Sequence, residues 1–175
     1  TPFANKIISK ITKLCYDNAY SAAIVSFFSI LVSLLNWGLG LIFGAILARK
    51  VAEYNSEKNI EINYPLIGAA GYSGLMVWHG GLSGSAPLKI AEKGHFKDII
   101  YNDELLSKIP DNLDLSYTVF STMNIIICLS LLIIIPFTFF LLGRRVKRKK
   151  IYLKNKSTKI EIKKNNLIGA EKIDF

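Results

Sequence analysis

Three stretches of this chain, residues 21–48, 64–88 and 117–142, contain no Asp, Glu, Lys or Arg. Each exceeds the roughly 20 apolar residues that span a hydrocarbon core. The chain therefore reads as an all-α integral membrane protein, and its charge is read on that basis. It carries 22 Lys+Arg against 13 Asp+Glu, a net charge of +9. Most of the excess sits beside the apolar runs, where a cytoplasmic bias of Lys and Arg is expected. No nucleic-acid partner is called for, although a polybasic strip also holds anionic membrane lipid. Cys15 and Cys128 lack any metal-ligand or paired spacing, which argues against a zinc site and a disulfide framework. The chain opens on Thr1 without a signal-peptide pattern, and is expected to be a piece of a longer protein.

Residues 1–20 place Ile7, Ile8, Ile11 and Leu14 at helical spacing, with Lys6, Lys10 and Lys13 between them. An interfacial helix and a solvated lead-in both fit. Residues 21–48 form either one tilted helix of about 42 Å or a hairpin broken at Asn36, Trp37 and Gly38. The hairpin's arms, 21–35 and 38–48, would be about 22 and 16 Å long, each too short to cross. Charge placement favours a re-entrant hairpin. It puts the N-terminal lysines, Arg49, Lys50, Lys58 and the run from Arg144 to Lys150 on one side of the membrane. Residues 51–63 are then a polar connection, and 89–116 an outer loop with a short amphipathic helix before Pro110. Residues 117–142 read as a transmembrane helix that Pro136 is able to kink, and residues 151–175 as a basic cytoplasmic tail or linker with a marginal hairpin.

The central segment changes character along its length. Residues 64–78 are apolar, while 79–87 are rich in glycine and serine, so a helix is expected to break inside the bilayer. Unpaired peptide groups at that depth are tolerated only where protein or a water-filled cavity surrounds them. Half-helix N-termini offer N–H groups to a carboxylate, and C-terminal carbonyls suit a cation. Gly80, Gly81 and Gly84 allow close approach to the backbone, and Ser83 and Ser85 add hydroxyls. His79 is the one ionisable side chain of the acid-base type in this segment, suited to proton relay, to holding a carboxylate, or to a neutral interhelical hydrogen bond. Gly68, Gly71 and Gly74 read as helix-packing positions, and Lys89 as a flanking residue that snorkels or attracts anions.

The runs SLLNWGLGLIFGAILAR at 33–49, YPLIGAAGYSGLMVWHGGLSGSAPLKIA at 64–91 and GHF at 94–96 resemble the short-chain fatty acid transporter family. The likeness covers residues 20–142. It implies a secondary carrier for organic anions, built from two inverted halves, each with a re-entrant hairpin and a broken helix. This chain would be one half, the C-terminal one: a hairpin at 21–48, a discontinuous helix at 64–90 and a transmembrane helix at 117–142, within a transport domain at 1–150. The resemblance further implies that Ser33, Asn36 and Trp37 at the hairpin tip face the loop holding His79, Gly80, Gly81, Ser83, Gly84 and Ser85.

A short-chain carboxylate such as butyrate or acetoacetate is thus the expected substrate, in the inner membrane of a bacterium. Membrane lipid and the missing other half are the expected partners, and a homodimer is left open. No metal or organic cofactor is expected beyond a coupling ion. Carbonyls and hydroxyls suit Na⁺, His79 suits H⁺, and the sequence leaves the choice open. An enzyme alternative rests on the string Gly81-Leu82-Ser83-Gly84, which matches an intramembrane serine protease motif but needs a histidine within reach of the serine. A non-transporting half with dual topology is disfavoured by the Lys/Arg bias.

Overall fold

A computed structural model describes residues 2–150, with side chains from residue 7 onward. The expectations for the tail at 151–175 lie outside the described residues. Helix α1 (Pro2–Thr12) leads into α2 (Asn18–Leu35), which is joined through Asn36 alone to α3 (Trp37–Glu57). Then come α4 (Tyr64–Tyr72), a 3-10 turn (Ser73–Val77), an irregular loop, and α5 (Ser85–Ala91). Two short helices, α6 (His95–Ile99) and α7 (Asp103–Leu106), precede the long α8 (Thr122–Arg145). No strand occurs among the described residues, only an isolated antiparallel bridge between Ile62 and Lys149.

Helix α2 is the centre of the bundle. Its buried side include Asn18, Ser21, Ser26, Ser29 and Ser33 alongside Ala19, Ala22, Val25 and Ile30. Small residues let neighbouring backbones come close, as they do between membrane helices. An ideal Cβ on Gly143 of α8 would lie 2.6 Å from Ala19 Cα, and one on Gly74 would lie 2.7 Å from the Ser29 carbonyl oxygen. Both α2 and α8 are long and apolar enough to cross a membrane. Helix α8 buries only Cys128, Pro136 and Gly143, and turns Met123, Ile126, Ile133 and Phe137 outward. That wide apolar face suits lipid, and the helix runs unbroken through Pro136.

The chain ends of these helices gather at two levels. At one level Asn18 Nδ2 donates to the Gly143 carbonyl (2.7 Å), and Asn18 Oδ1 accepts from the Asn63 backbone N–H (2.6 Å). Asn63 Nδ2 in turn donates to the Lys147 carbonyl (2.9 Å), beside the Ile62–Lys149 bridge. The starts of α2 and α4 and the end of α8 therefore share one end of the bundle. Helix α1 packs Ile8 and Ile11 into the cluster holding Val51 and Ala52 of α3, so the end of α3 lies there too. The basic groups of all these segments fall together, as the charge pattern requires.

Several boundaries differ from the sequence reading. Helix α3 does not stop at Ala48 but runs to Glu57, about 31 Å in all, so its length alone does not keep it from crossing. Arg49 and Lys50 end the apolar stretch without ending the helix, because Glu53 accepts from both, at 3.0 and 2.6 Å. The Lys50 hydrogen bond, with Arg49 beside it, holds the Glu53 carboxyl below the usual carboxylate range. The connection is only 58–63. In the outer loop the single expected helix splits at Asn102, whose Oδ1 accepts from Glu104 N and Leu105 N and so starts α7 afresh. Ile8 and Ile11 of α1 are packed against protein, while Ile7 of that helix and Leu14 just beyond it stay exposed. Lys89 pairs with Glu92 at 2.9 Å.

Candidate functional site

At the other level of the bundle the hairpin tip meets the broken helix. Asn36 has extended backbone (φ −150°, ψ 117°), and its Oδ1 caps α3 by accepting from Leu39 N at 2.9 Å. A helix end leaves carbonyls unpaired, and a helix start leaves N–H groups unpaired. Here the loop after the 3-10 turn meets both. Leu82 N–H donates to the Leu34 carbonyl at the end of α2 (2.8 Å), and Trp37 N–H at the start of α3 donates to Ser83 Oγ (2.9 Å). Two neighbouring peptide segments thus serve each other's freed groups without any charged side chain.

The helix breaks for local reasons. Ser73 Oγ lies 2.7 Å from the Ala70 carbonyl and 2.9 Å from Ser26 Oγ on α2, a back-bond of the kind that bends helices. The Val77 carbonyl then accepts from both Gly80 N and Gly81 N at 3.1 Å, which closes the last turn. Gly81 has to be glycine: an ideal Cβ would lie 2.6 Å from the Leu34 carbonyl oxygen and 2.9 Å from Leu34 Cα. Gly84 is similarly tight against the His79 carbonyl, at 2.8 Å.

Aromatic rings cover this seam. Trp37 and Trp78 lie 4.7 Å apart between centroids, and Trp78 stacks on His79 at 5.2 Å with an interplanar angle of 8°. Of the residues named from sequence, Asn36, Trp37, His79, Gly80, Gly81, Ser83 and Gly84 are gathered here. Ser85 opens α5 and is exposed. Ser33 does not reach the loop: it is buried against Gly40 and Gly74, and its Oγ has no hydrogen-bond partner among the described residues. Gly71 packs against the Gly44 carbonyl (2.7 Å from an ideal Cβ), whereas Gly68 has open space around it.

Sequence reasoning passed over two contributors. Leu34 gives its carbonyl, and Asn124 of α8 donates from Nδ2 to the Gly80 carbonyl at 2.9 Å; Trp78, at the junction of the apolar run and the loop, bridges Trp37 and His79. Asn124 was detectable in principle, as the one amide side chain in an otherwise apolar, charge-free stretch, where such a group must find a partner.

The chain matches the model of the family described as "Short chain fatty acid transporter" over residues 1–172. It belongs to that family. Two relatives carry the short-chain fatty acid transporter name provisionally. One, from Haemophilus influenzae, is 32% identical over 152 residues, 86% of this chain and 33% of the relative. The other, from Escherichia coli, is 35% identical over 114 residues, 65% of this chain and 23% of the relative. The chain spans a third or less of either relative's length. No solved structure matches it. Membership makes this a membrane protein of a transporter family, not an enzyme. At the site, Ser83 Oγ accepts from the Trp37 N–H and His79 lies against Trp78.

Proposed function

We propose that this chain forms part of a secondary carrier for short-chain fatty acids and related small monocarboxylates such as butyrate and acetoacetate. The substrate site lies where the hairpin tip meets the broken-helix loop. The observation that carries this reading is the seam itself: two non-helical segments, free of charged side chains, satisfy each other through Leu82 N–H to Leu34 O and Trp37 N–H to Ser83 Oγ. Ser83 Oγ accepts from the Trp37 N–H and so keeps its own O–H to donate to a carboxylate oxygen, a bond that the charge strengthens. The short alkyl chain then lies against Trp37 and Trp78. His79, Gly80, Gly81, Gly84, Ser85 and Asn36 complete the surroundings, with Ser33 supporting the tip from one turn below.

Alternating access opens and closes this seam, with the hairpin as a re-entrant element of an inverted repeat whose other part lies in the remaining length of the carrier. The setting is the inner membrane of a bacterium, with coupling to Na⁺ through carbonyls and hydroxyls or to H⁺ through His79. Uptake of radiolabelled butyrate and acetoacetate by vesicles holding the full-length protein tests this, under imposed Na⁺ or pH gradients. Accumulation that falls about tenfold in Ser83→Ala is expected, the effect of losing the hydroxyl that donates to the carboxylate and accepts from the Trp37 N–H. No accumulation under either gradient would overturn the reading.

A further inference from the structure

A break inside a membrane helix frees peptide carbonyls, and each must find a donor. Around this break, two carbonyls find their donors within the loop and the hairpin. The Val77 carbonyl takes Gly80 N and Gly81 N, and the Leu34 carbonyl takes Leu82 N. The Gly80 carbonyl is different, because its donor comes from another helix: Asn124 Nδ2 at 2.9 Å. The same nitrogen donates to the Val119 carbonyl at 2.7 Å, in the turn that leads into α8. Both neighbours are carbonyl oxygens, so the amide orientation is settled by chemistry: only the NH₂ end can face them. Cys128, one helical turn on, sits against Gly80, with Sγ 3.8 Å from its carbonyl and an ideal Gly80 Cβ 2.5 Å from that sulfur.

This pattern is more than helix capping. Ser121 caps α8 by accepting from Asn124 N at 3.3 Å. The Asn124 side chain sits at the third helical position, where a capping side chain reaches back to the cap residue's N–H. Here it donates to two carbonyls outside any helix instead. We infer that Asn124 is a positioning residue: its amide ties the Gly80 peptide to the entry of α8 and so holds the loop of the proposed substrate site against the hairpin tip. The inference rests on that reading of the site, but the tie itself is physical and is testable without transport.

The two cysteines of this chain make the test selective. Cys128 lies at the tie, while Cys15 is fully buried in the core cluster at the opposite end, where burial pushes its thiol up to about 12. The rate of maleimide modification at each is measured by peptide mapping of the full-length protein in lipid vesicles. The variants are Asn124→Asp, which keeps the shape and replaces the donor by an acceptor, and Asn124→Gln, which keeps the donor. In Asn124→Asp, modification of Cys128 is expected to rise about tenfold with Cys15 unchanged, as the loss of both part-buried hydrogen bonds from the amide allows. Asn124→Gln is expected to stay closer to wild type. Wild-type reactivity of Cys128 in Asn124→Asp would overturn the inference. So would equal exposure of Cys128 and Cys15 in both variants, because Asn124 would then support the whole bundle and not the loop. Butyrate uptake is measured in the same vesicles. Its absence in the wild type would remove the carrier reading, and the labelling comparison would still decide the tie.

Discussion

At Gly81 the backbones of two segments approach so closely that a single methyl group cannot be added. Its Cβ would stand 2.6 Å from the Leu34 carbonyl oxygen, and neither atom belongs to a flexible side chain. Gly81→Ala is therefore expected to part the loop from the tip and to lower butyrate uptake by at least about tenfold, since the Leu82-to-Leu34 hydrogen bond goes with it. Gly68→Ala is the matched control. Nothing lies within 4 Å of its ideal Cβ, so uptake is expected to stay at the wild-type level, with stability unchanged or raised by about 0.5–1 kcal/mol from helix propensity. Melting of the purified protein checks the second half. From sequence, Gly68, Gly71 and Gly74 look alike, being spaced by three. That spacing drifts around an α-helix by roughly 60° at each step, so which of them meets a neighbour depends on packing that spacing does not encode. Ser33 shows the same limit. The motif places it near the tip, yet the turn of α2 carries its hydroxyl toward Gly40 and Gly74.

Among the elements, the break points were legible and the ends were not. Asn36 reads as a hairpin tip because a short polar side chain can cap the following helix, and it does so on Leu39 N. The glycine- and serine-rich run at 79–87 likewise reads as non-helical, and it is so as far as Gly84, but Ser85, Ala86 and Pro87 already belong to α5. Helix α3 outruns its apolar segment because hydropathy reports burial, not helix ends, and the Arg49 and Lys50 pairs with Glu53 suit a helix surface. The asparagine link at the basic end could not be read at all, since Asn18, Asn63 and Gly143 are remote in sequence. It carries an expectation of its own. Asn18 is fully buried and serves two backbone groups, so Asn18→Ala leaves the Gly143 carbonyl and the Asn63 N–H without partners. A loss of about 2–4 kcal/mol is expected, at roughly 1–3 kcal/mol per orphaned buried group with partial relief by water. Thermal melting in detergent would show it as a clear drop in Tm, and an unchanged Tm would mean that the link is not holding the helix ends together.

For the whole molecule, the two levels of the bundle have different chemistry. The basic end is tied by asparagine side chains and backbone pairing, between α2, the start of α4 and the end of α8. The opposite end is held by the tip-to-loop seam, the Asn124 amide and a short aromatic stack. Lys and Arg gathered at the first end is the pattern expected of a cytoplasmic face, and it was visible in the sequence before any contact was known. Both tryptophans of this chain, Trp37 and Trp78, lie in the seam at the second end. That placement makes tryptophan emission the most direct measure of whether substrate binds there. Butyrate would be titrated into the full-length protein in lipid nanodiscs, and its emission compared with that of the Trp37→Phe/Trp78→Phe variant. A saturable change in emission that disappears in the variant, while the variant stays folded, is the result expected of a site at the hairpin tip. A protein that accumulates butyrate but shows the same emission response with and without these two tryptophans would place the substrate elsewhere in the carrier and contradict the account.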